Sequence, residues 1–248
     1  MYFSVKKTIR EWKALLHSVP ALFFAIFASS VIIMNLLANK SINLPIDWLA
    51  LDCGIIVSWI SFLCMDVTVR RFGPKAATML SVTAVFVNLM ACIIFFAGSL
   101  ISGIWAESYV EGSEDLINTA LDNTFGGTWY VLLGSTIAFI VSAIVNNLIN
   151  YAVGRAFKKR PDSFMAFAMR SYVSTAVGQF TDNIVFALLV SHVFFGWTLL
   201  QCVTCALTGM IVELLCEVVF SPAGFAISRK WQKENIGKEY LELTSAAL

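Results

Sequence analysis

The stretch QFTDNIVF, Gln179 to Phe186, sets an amide, a hydroxyl, a carboxylate and a second amide inside an otherwise apolar run. A carboxylate offers two acceptor oxygens and an amide both donors and an acceptor, so such a set can recognise a polar solute by hydrogen bonding. Glu213 and Glu217 stand in a second apolar run, and Asn146 and Asn150 in a third. A charge at mid-bilayer depth costs ~2.5–3.5 kcal/mol on insertion scales, so it is usually retained where it lines a cavity or pathway.

Helices would gather these residues. A period of ~3.6 residues per turn places Ser171, Thr175, Gln179, Asp182 and Phe186 in one stripe. Ser135, Phe139, Ser142, Asn146 and Asn150 form a comparable stripe, and Glu213 and Glu217 share a face with Cys202, Ala206 and Gly209. Asp182 lies ~18 Å beyond Arg170 and Glu213 ~24 Å before Arg229 by helix rise, which sets both carboxylates near mid-membrane. Asp182, Glu213, Gln179, Asn146, Asn150 and Thr175 are the candidate polar lining.

A further stripe, Trp59, Phe62, Asp66 and Arg70, ends the second apolar run in FLCMDVTVRRFG. Asp66 and Arg70 have the spacing of an i,i+4 ion pair, and Asp66 is expected ~6 Å inside Arg70, close to the cytoplasmic surface. Asp66, Arg70 and Glu217 are therefore candidate gating or coupling residues.

The elements that carry these stripes must be membrane spans. The chain is 58% hydrophobic and 13% charged, with mean hydropathy +0.79, outside the range of soluble globular proteins. A hydrocarbon core ~30 Å thick requires ~20 mostly apolar residues per helix. Six runs qualify: Val19 to Leu37, Leu49 to Val69, Ala76 to Ile101, Thr128 to Val153, Tyr172 to His192 and Trp197 to Phe220. The expected fold is an all-α membrane protein, a bundle of six transmembrane helices.

Lys and Arg are retained on the cytoplasmic side, and sixteen of the seventeen basic residues fall on one set of flanks. They are Lys6, Lys7, Arg10 and Lys13; Arg70, Arg71 and Lys75; Arg155, Lys158, Lys159, Arg160 and Arg170; and Arg229, Lys230, Lys233 and Lys238. Lys40 alone stands on the opposite side, where a loop carries Glu107, Glu111, Glu114, Asp115 and Asp122. Both termini are thus expected in the cytoplasm. The organisation expected is a basic segment over residues 1–18, a transmembrane domain over 19–222 with an acidic external loop at about 102–127, and a cytoplasmic tail over 223–248 ending in a frayed terminus. The first span has no small-residue cleavage site and is expected to be an uncleaved helix.

Several chemistries lack their residues. The six cysteines lie in or near spans and are expected to pack in the core, Cys202 and Cys205 included. His17 and His192 belong to opposite membrane edges, so no metal site is expected. No GxxxxGK[ST], HExxH or GxSxG occurs, so no enzyme is expected. The basic clusters are topological and imply no nucleic acid.

Three segments resemble a known family: MDVTVRRFG at Met65 to Gly73, STAVGQFTDNIVF at Ser174 to Phe186, and FSP at Phe220 to Pro222. They are similar to the queuosine-precursor transporters, or VUT family. That family has six-helix inner-membrane proteins with a D-x-x-x-x-x-[FY]-G signature after the second helix and S-T-x-x-x-x-x-x-D in the fifth. Here these fall on Asp66, Phe72 and Gly73, and on Ser174, Thr175 and Asp182. One departure is Glu213, where many relatives carry a lysine.

The resemblance implies uptake of a 7-deazaguanine, such as 7-cyano-7-deazaguanine, its aminomethyl analogue or queuine, for salvage into tRNA. A guanine-like edge presents adjacent N–H donors that a carboxylate accepts in pairs. Asp182 or Glu213 is the expected contact, completed by Asn146, Asn150 and Gln179, with Trp59, Phe62 and Phe186 stacking on the heterocycle. Glu217 is a candidate partner for a cationic aminomethyl group. No cofactor is expected. The expected partners are a purine-like small molecule and the lipid bilayer, with homo-oligomerisation left open. The D-x-x-V strings at Asp66 and Asp182 hint at an inverted repeat. Rival readings are a substrate-binding membrane subunit for another vitamin-like molecule needing a separate ATP-driven module, a polytopic enzyme, and an assembly protein.

Overall fold

The computed structural model describes residues 5–42, 44–105, 111–126, 129–156 and 164–245. Lys158, Lys159, Arg160, Glu107 and Thr128 lie outside the described residues.

The chain opens with α1 (Val5–Ser18), an amphipathic helix burying Glu11, Ala14 and Leu15. Pro20 ends it, because the residue before a proline is pushed out of the α region. α2 (Ala21–Leu37) then leaves at 105°. Glu11 pairs with Lys75 at 2.5 Å, and Trp12 Nε1 donates to Thr83 Oγ1 at 2.9 Å. α1 is thereby pinned across the start of α4 (Pro74–Ser99).

The second apolar run does not begin as helix. Ser41–Ile42 (β1) pairs antiparallel with Leu51–Asp52 (β2). Asp52 Oδ1 accepts the Gly54 N–H at 2.7 Å, a local alternative to the helical ladder that delays helix formation. α3 therefore runs over Ile55–Phe72 rather than from Leu49. Gly73, at φ 86°, reverses the chain into Pro74 and α4.

α5 (Glu114–Phe125) is a short helix within the acidic loop, clamped by Trp105 Nε1 donating to Asp122 Oδ1 at 3.0 Å. α6 (Trp129–Ala156) and α7 (Phe164–Phe186) follow. A π-helical turn at Ala187–Ser191 and α8 (His192–Phe194) prolong α7. α9 (Leu199–Lys233) starts with a capping box between Thr198 and Gln201 and continues through Pro222 without interruption. At ~1.5 Å per residue it is ~52 Å long, more than a hydrocarbon core ~30 Å thick requires.

Its far end joins α1, α3 and α10 (Lys238–Ser245) in one cluster built on Leu15, Phe72, Trp231 and Tyr240. Both described ends of the chain thus meet at one end of the bundle. The tail forms a helix through Ser245 that packs on this cluster, and burial beside Glu11 pushes the Tyr240 hydroxyl up to about 12. Gly237 makes the tight entry into α10: its φ is 77°, and a Cβ there would sit 2.1 Å from Phe72 Cε1. Gly237→Ala should lower the unfolding free energy by ~2–4 kcal/mol, combining left-handed strain with overpacking. Thermal unfolding in detergent, with protease access at Lys238, measures this; an unchanged midpoint would refute it.

Polarity in the bundle is inverted relative to a soluble protein. Leu22, Phe86, Ile94, Leu148 and Val219 are among many large apolar side chains on the outside, while Asp66, Asn146, Asn150, Gln179, Glu213 and Glu217 are buried. Lipid is the solvent that accommodates this arrangement.

By length and apolar composition, four helical runs among the described residues suffice to cross a membrane: Pro74–Ser99, Glu114–Ala156, Phe164–Phe194 and Leu199–Lys233. Counted as one span, the bent pair α1–α2 makes a fifth. α3, the remaining candidate among the six expected, carries Asp66, Arg70 and Arg71 within its 18 residues. It packs against α2, α4, α6, α7 and α9, so its polar groups face protein rather than lipid.

Candidate functional site

Four helices contribute one seam. Along α3 stand Ser58, Phe62 and Asp66; along α6, Ser142, Asn146 and Asn150; along α7, Asp182, Gln179, Thr175 and Ser171; along α9, Gly209, Glu213 and Glu217. Steps of three and four residues keep each set on one face. Small residues let the helices close: a Cβ on Gly178 would come within 2.8 Å of Phe62 and 3.0 Å of Asn146 Cβ. One on Gly209 would meet Asn183 Nδ2 at 2.5 Å.

The seam divides into two polar groups. The first surrounds a cavity lined by Asn35, Asp52, Asp182, Phe186 and Glu213. Asp182 accepts from Ser142 Oγ at 2.7 Å and is part-exposed to this cavity. Glu213 accepts from Ser58 Oγ and, at 3.3 Å, from Asn183 Nδ2. With its amide turned so that Nε2 faces the carboxylate, Gln179 donates to both Glu213 oxygens at 3.3 and 2.6 Å. Ser135 donates to Asn35 on the far wall.

The second group encloses Asp66, which is only 1% exposed. Its Oδ1 accepts from Asn150 Nδ2 at 2.7 Å, from Ser174 at 3.3 Å and from Asn146 at 3.5 Å. Its Oδ2 accepts from Ser171 and, at 3.4 Å, from Thr175. Arg170 stands behind Asn150, donating to its Oδ1 from Nε and Nη2 at 3.2 and 3.0 Å. Glu217 joins through Ser171. Phe62, fully buried, lies between the groups on α3, one turn from Ser58 and one from Asp66.

This placement departs from the expectation in four respects. Asn146, Asn150 and Thr175 gather around Asp66, not Asp182. Asp66 is enclosed by helices, and its carboxylate is held by Asn150, Ser171 and Ser174 and not by the Arg70 of the expected i,i+4 pair. The Arg70 guanidinium sits over Phe167 and Phe225, 5.3 and 4.8 Å from the ring centres. Trp59 is away from the cavity, stacked on Phe220 at 4.3 Å. Arg170, assigned by charge to a cytoplasmic loop, is inside α7 and belongs to the Asp66 group. Phe186 does line the cavity, and Cys202 and Cys205 are buried and unbridged.

Ser58, Asn183, Asp52 and Arg170 were not among the candidates. Asn183 is one residue off the Asp182 stripe, and Ser58 one turn from Phe62; a search for hydroxyls and amides within one turn of each candidate residue would have found both. The cavity offers about 30 Å³ to water centres, where a single water needs at least ~10–15 Å³.

An apolar exterior enclosing a carboxylate-lined seam is that of a multi-pass membrane protein. Residues 52–227 match the family described as "Putative vitamin uptake transporter", and the chain belongs to that family. It is also 29% identical over 152 residues to a "Probable queuosine precursor transporter" of Bacillus subtilis (strain 168), covering 61% of this chain and 60% of that relative. The matched region therefore spans less than two thirds of the relative's length. No solved structure matches the chain.

Proposed function

We propose that this transporter imports a queuosine precursor, a 7-deazaguanine such as 7-cyano-7-deazaguanine, its aminomethyl analogue or queuine, for salvage into tRNA. The observation that carries the reading is the cavity where Asp182 and Glu213 face one space with Asn183 and Gln179 beside them. A paired N–H edge fits a carboxylate, and the amides complement a carbonyl and ring nitrogens. The relative's name supplies the cargo class.

In this reading, Asp182 and Glu213 bind the donor edge, Gln179 and Asn183 orient it, and Phe186 and Phe62 flank the ring. The Asp66 group, with Asn146, Asn150, Thr175 and Glu217, forms the inner end of the path, and Arg70 caps it. α3 counts as a sixth crossing, with the transport unit over residues 19–222 and both termini in the cytoplasm. The gathering of α1, the α3–α4 turn and α10 at one end of the bundle supports that topology.

The test is the queuosine content of tRNA in a host lacking both precursor synthesis and its own importer, given one 7-deazaguanine at a time. Expression of this protein should restore the modification, and the rescuing compound names the cargo. No restoration by any of them, with the protein present in the membrane, overturns the assignment.

A further inference from the structure

Ser171 Oγ contacts two carboxyl groups at once, Asp66 Oδ2 from α3 and Glu217 Oε1 from α9. A serine hydroxyl has one hydrogen, and an ionised carboxylate has none. Ser171 can therefore donate to only one of the two. The other oxygen-to-oxygen contact is attractive only if that carboxyl brings its own hydrogen, so the trio holds a shared proton.

The surroundings decide which carboxyl carries it. Asp66 is supplied with donors from Asn150, Ser174, Thr175 and Asn146, with the Arg170 cation immediately behind Asn150. Glu217 has none of these: it is fully buried, and its Oε2 has no hydrogen-bond partner. The titratable groups around it are Asp66 and Cys64 on α3 and Glu213 and Cys216 on its own helix. The cation of the Asp66 group, Arg170 on α7, is turned to Asn150. A buried anion without a partner is costly, whereas a neutral carbonyl oxygen lacking a donor is much less so.

We propose that Glu217 is a proton-carrying site and that its proton moves with the cargo. This rests on the transporter reading. The carboxyl O–H of Glu217 donates to Ser171, whose own hydrogen is donated to Asp66. Passage of the proton breaks the Glu217 O–H bond, forms one at Ser171 and transfers the serine hydrogen to Asp66, so the hydroxyl is regenerated and charge is conserved. Glu213, one turn along α9 at ~6 Å rise, connects the site to the cavity. When the proton leaves, two anions confront one hydroxyl, and the contact of α9 with α3 and α7 loosens. That gives the seam a reason to open in step with proton release.

Two measurements decide the matter. Infrared spectra of the purified protein in lipid at neutral pH should show a protonated-carboxyl stretch that is missing in Glu217→Gln; an unchanged spectrum overturns the site. The wild-type protein titrated to alkaline pH should lose the same band, which covers a variant that fails to fold. In vesicles, an outside-acid gradient of one pH unit should drive about tenfold accumulation of a 7-deazaguanine at one proton per molecule. A protonophore should abolish it, and Glu217→Gln should lack the gradient response whatever exchange rate remains. Uptake insensitive to the gradient overturns coupling. Absence of any 7-deazaguanine uptake by the wild type instead rejects the transporter cargo, and the infrared band still judges the proton site.

Discussion

Asp182→Asn is expected to reduce 7-deazaguanine uptake by at least ~100-fold, because two charge-assisted hydrogen bonds worth ~1.5–3 kcal/mol each are lost. The substitution is isosteric, and Ser142 can still donate to the amide oxygen as it does to Asp182 Oδ1 at 2.7 Å. Folding and insertion should be near wild type. The change falls on the cavity face, where one of two acceptor oxygens becomes an N–H pair that opposes the donor edge of the cargo. The loss should appear in kcat/KM, measured as initial uptake into vesicles at matched protein content. Ser142→Ala, which only frees the carboxylate, should cost much less. Wild-type uptake by Asp182→Asn would remove Asp182 from the cargo site and leave Glu213 as the acceptor.

The residues on each polar face were legible in the sequence; the neighbours they would meet were not. Helical periodicity fixes that Ser171, Thr175, Gln179 and Asp182 share a face, and they do line one seam. Periodicity is blind to which turn of another helix stands opposite, so Asn146 and Asn150 were matched with Asp182 although they reach Asp66. Hydropathy set the positions of α4 and α9 to within a few residues at their starts. It failed at Leu49 to Gly54, where the side chain of Asp52 takes the Gly54 N–H and the chain pairs as a hairpin. Counting basic residues assigns a side of the membrane, and Arg170 was counted as a loop charge. A guanidinium on a long stem can instead lie within the bundle if a small residue makes room, as Gly154 does.

That room supplies the second strong expectation. Arg170 is half-buried in α7, and a Cβ on Gly154 would stand 2.7 Å from its Nε and 2.8 Å from its Cζ. Asn150 takes the guanidinium on Oδ1 and presents Nδ2 to Asp66, so the cation orients the amide that supports the anion. Arg170→Met would leave Asn150 Oδ1 unpaired and the Asp66 charge uncompensated, lowering stability by ~2–4 kcal/mol. Uptake should fall by more than ~10-fold, since a shift of ~1.4 kcal/mol in the arrangement of the inner group suffices. Arg170→Lys should recover part, because an ammonium cannot reproduce the two-point fork. Arg170→Met also removes a basic residue, so a loss alone is open to a topological explanation. Gly154→Ala separates the two: it leaves every charge in place and displaces only the guanidinium. Loss in both variants, by thermal unfolding and vesicle uptake, assigns the effect to the Arg170–Asn150–Asp66 chain. Loss in Arg170→Met with Gly154→Ala unchanged would mean that Arg170 serves insertion, and that hydroxyls and amides alone hold Asp66.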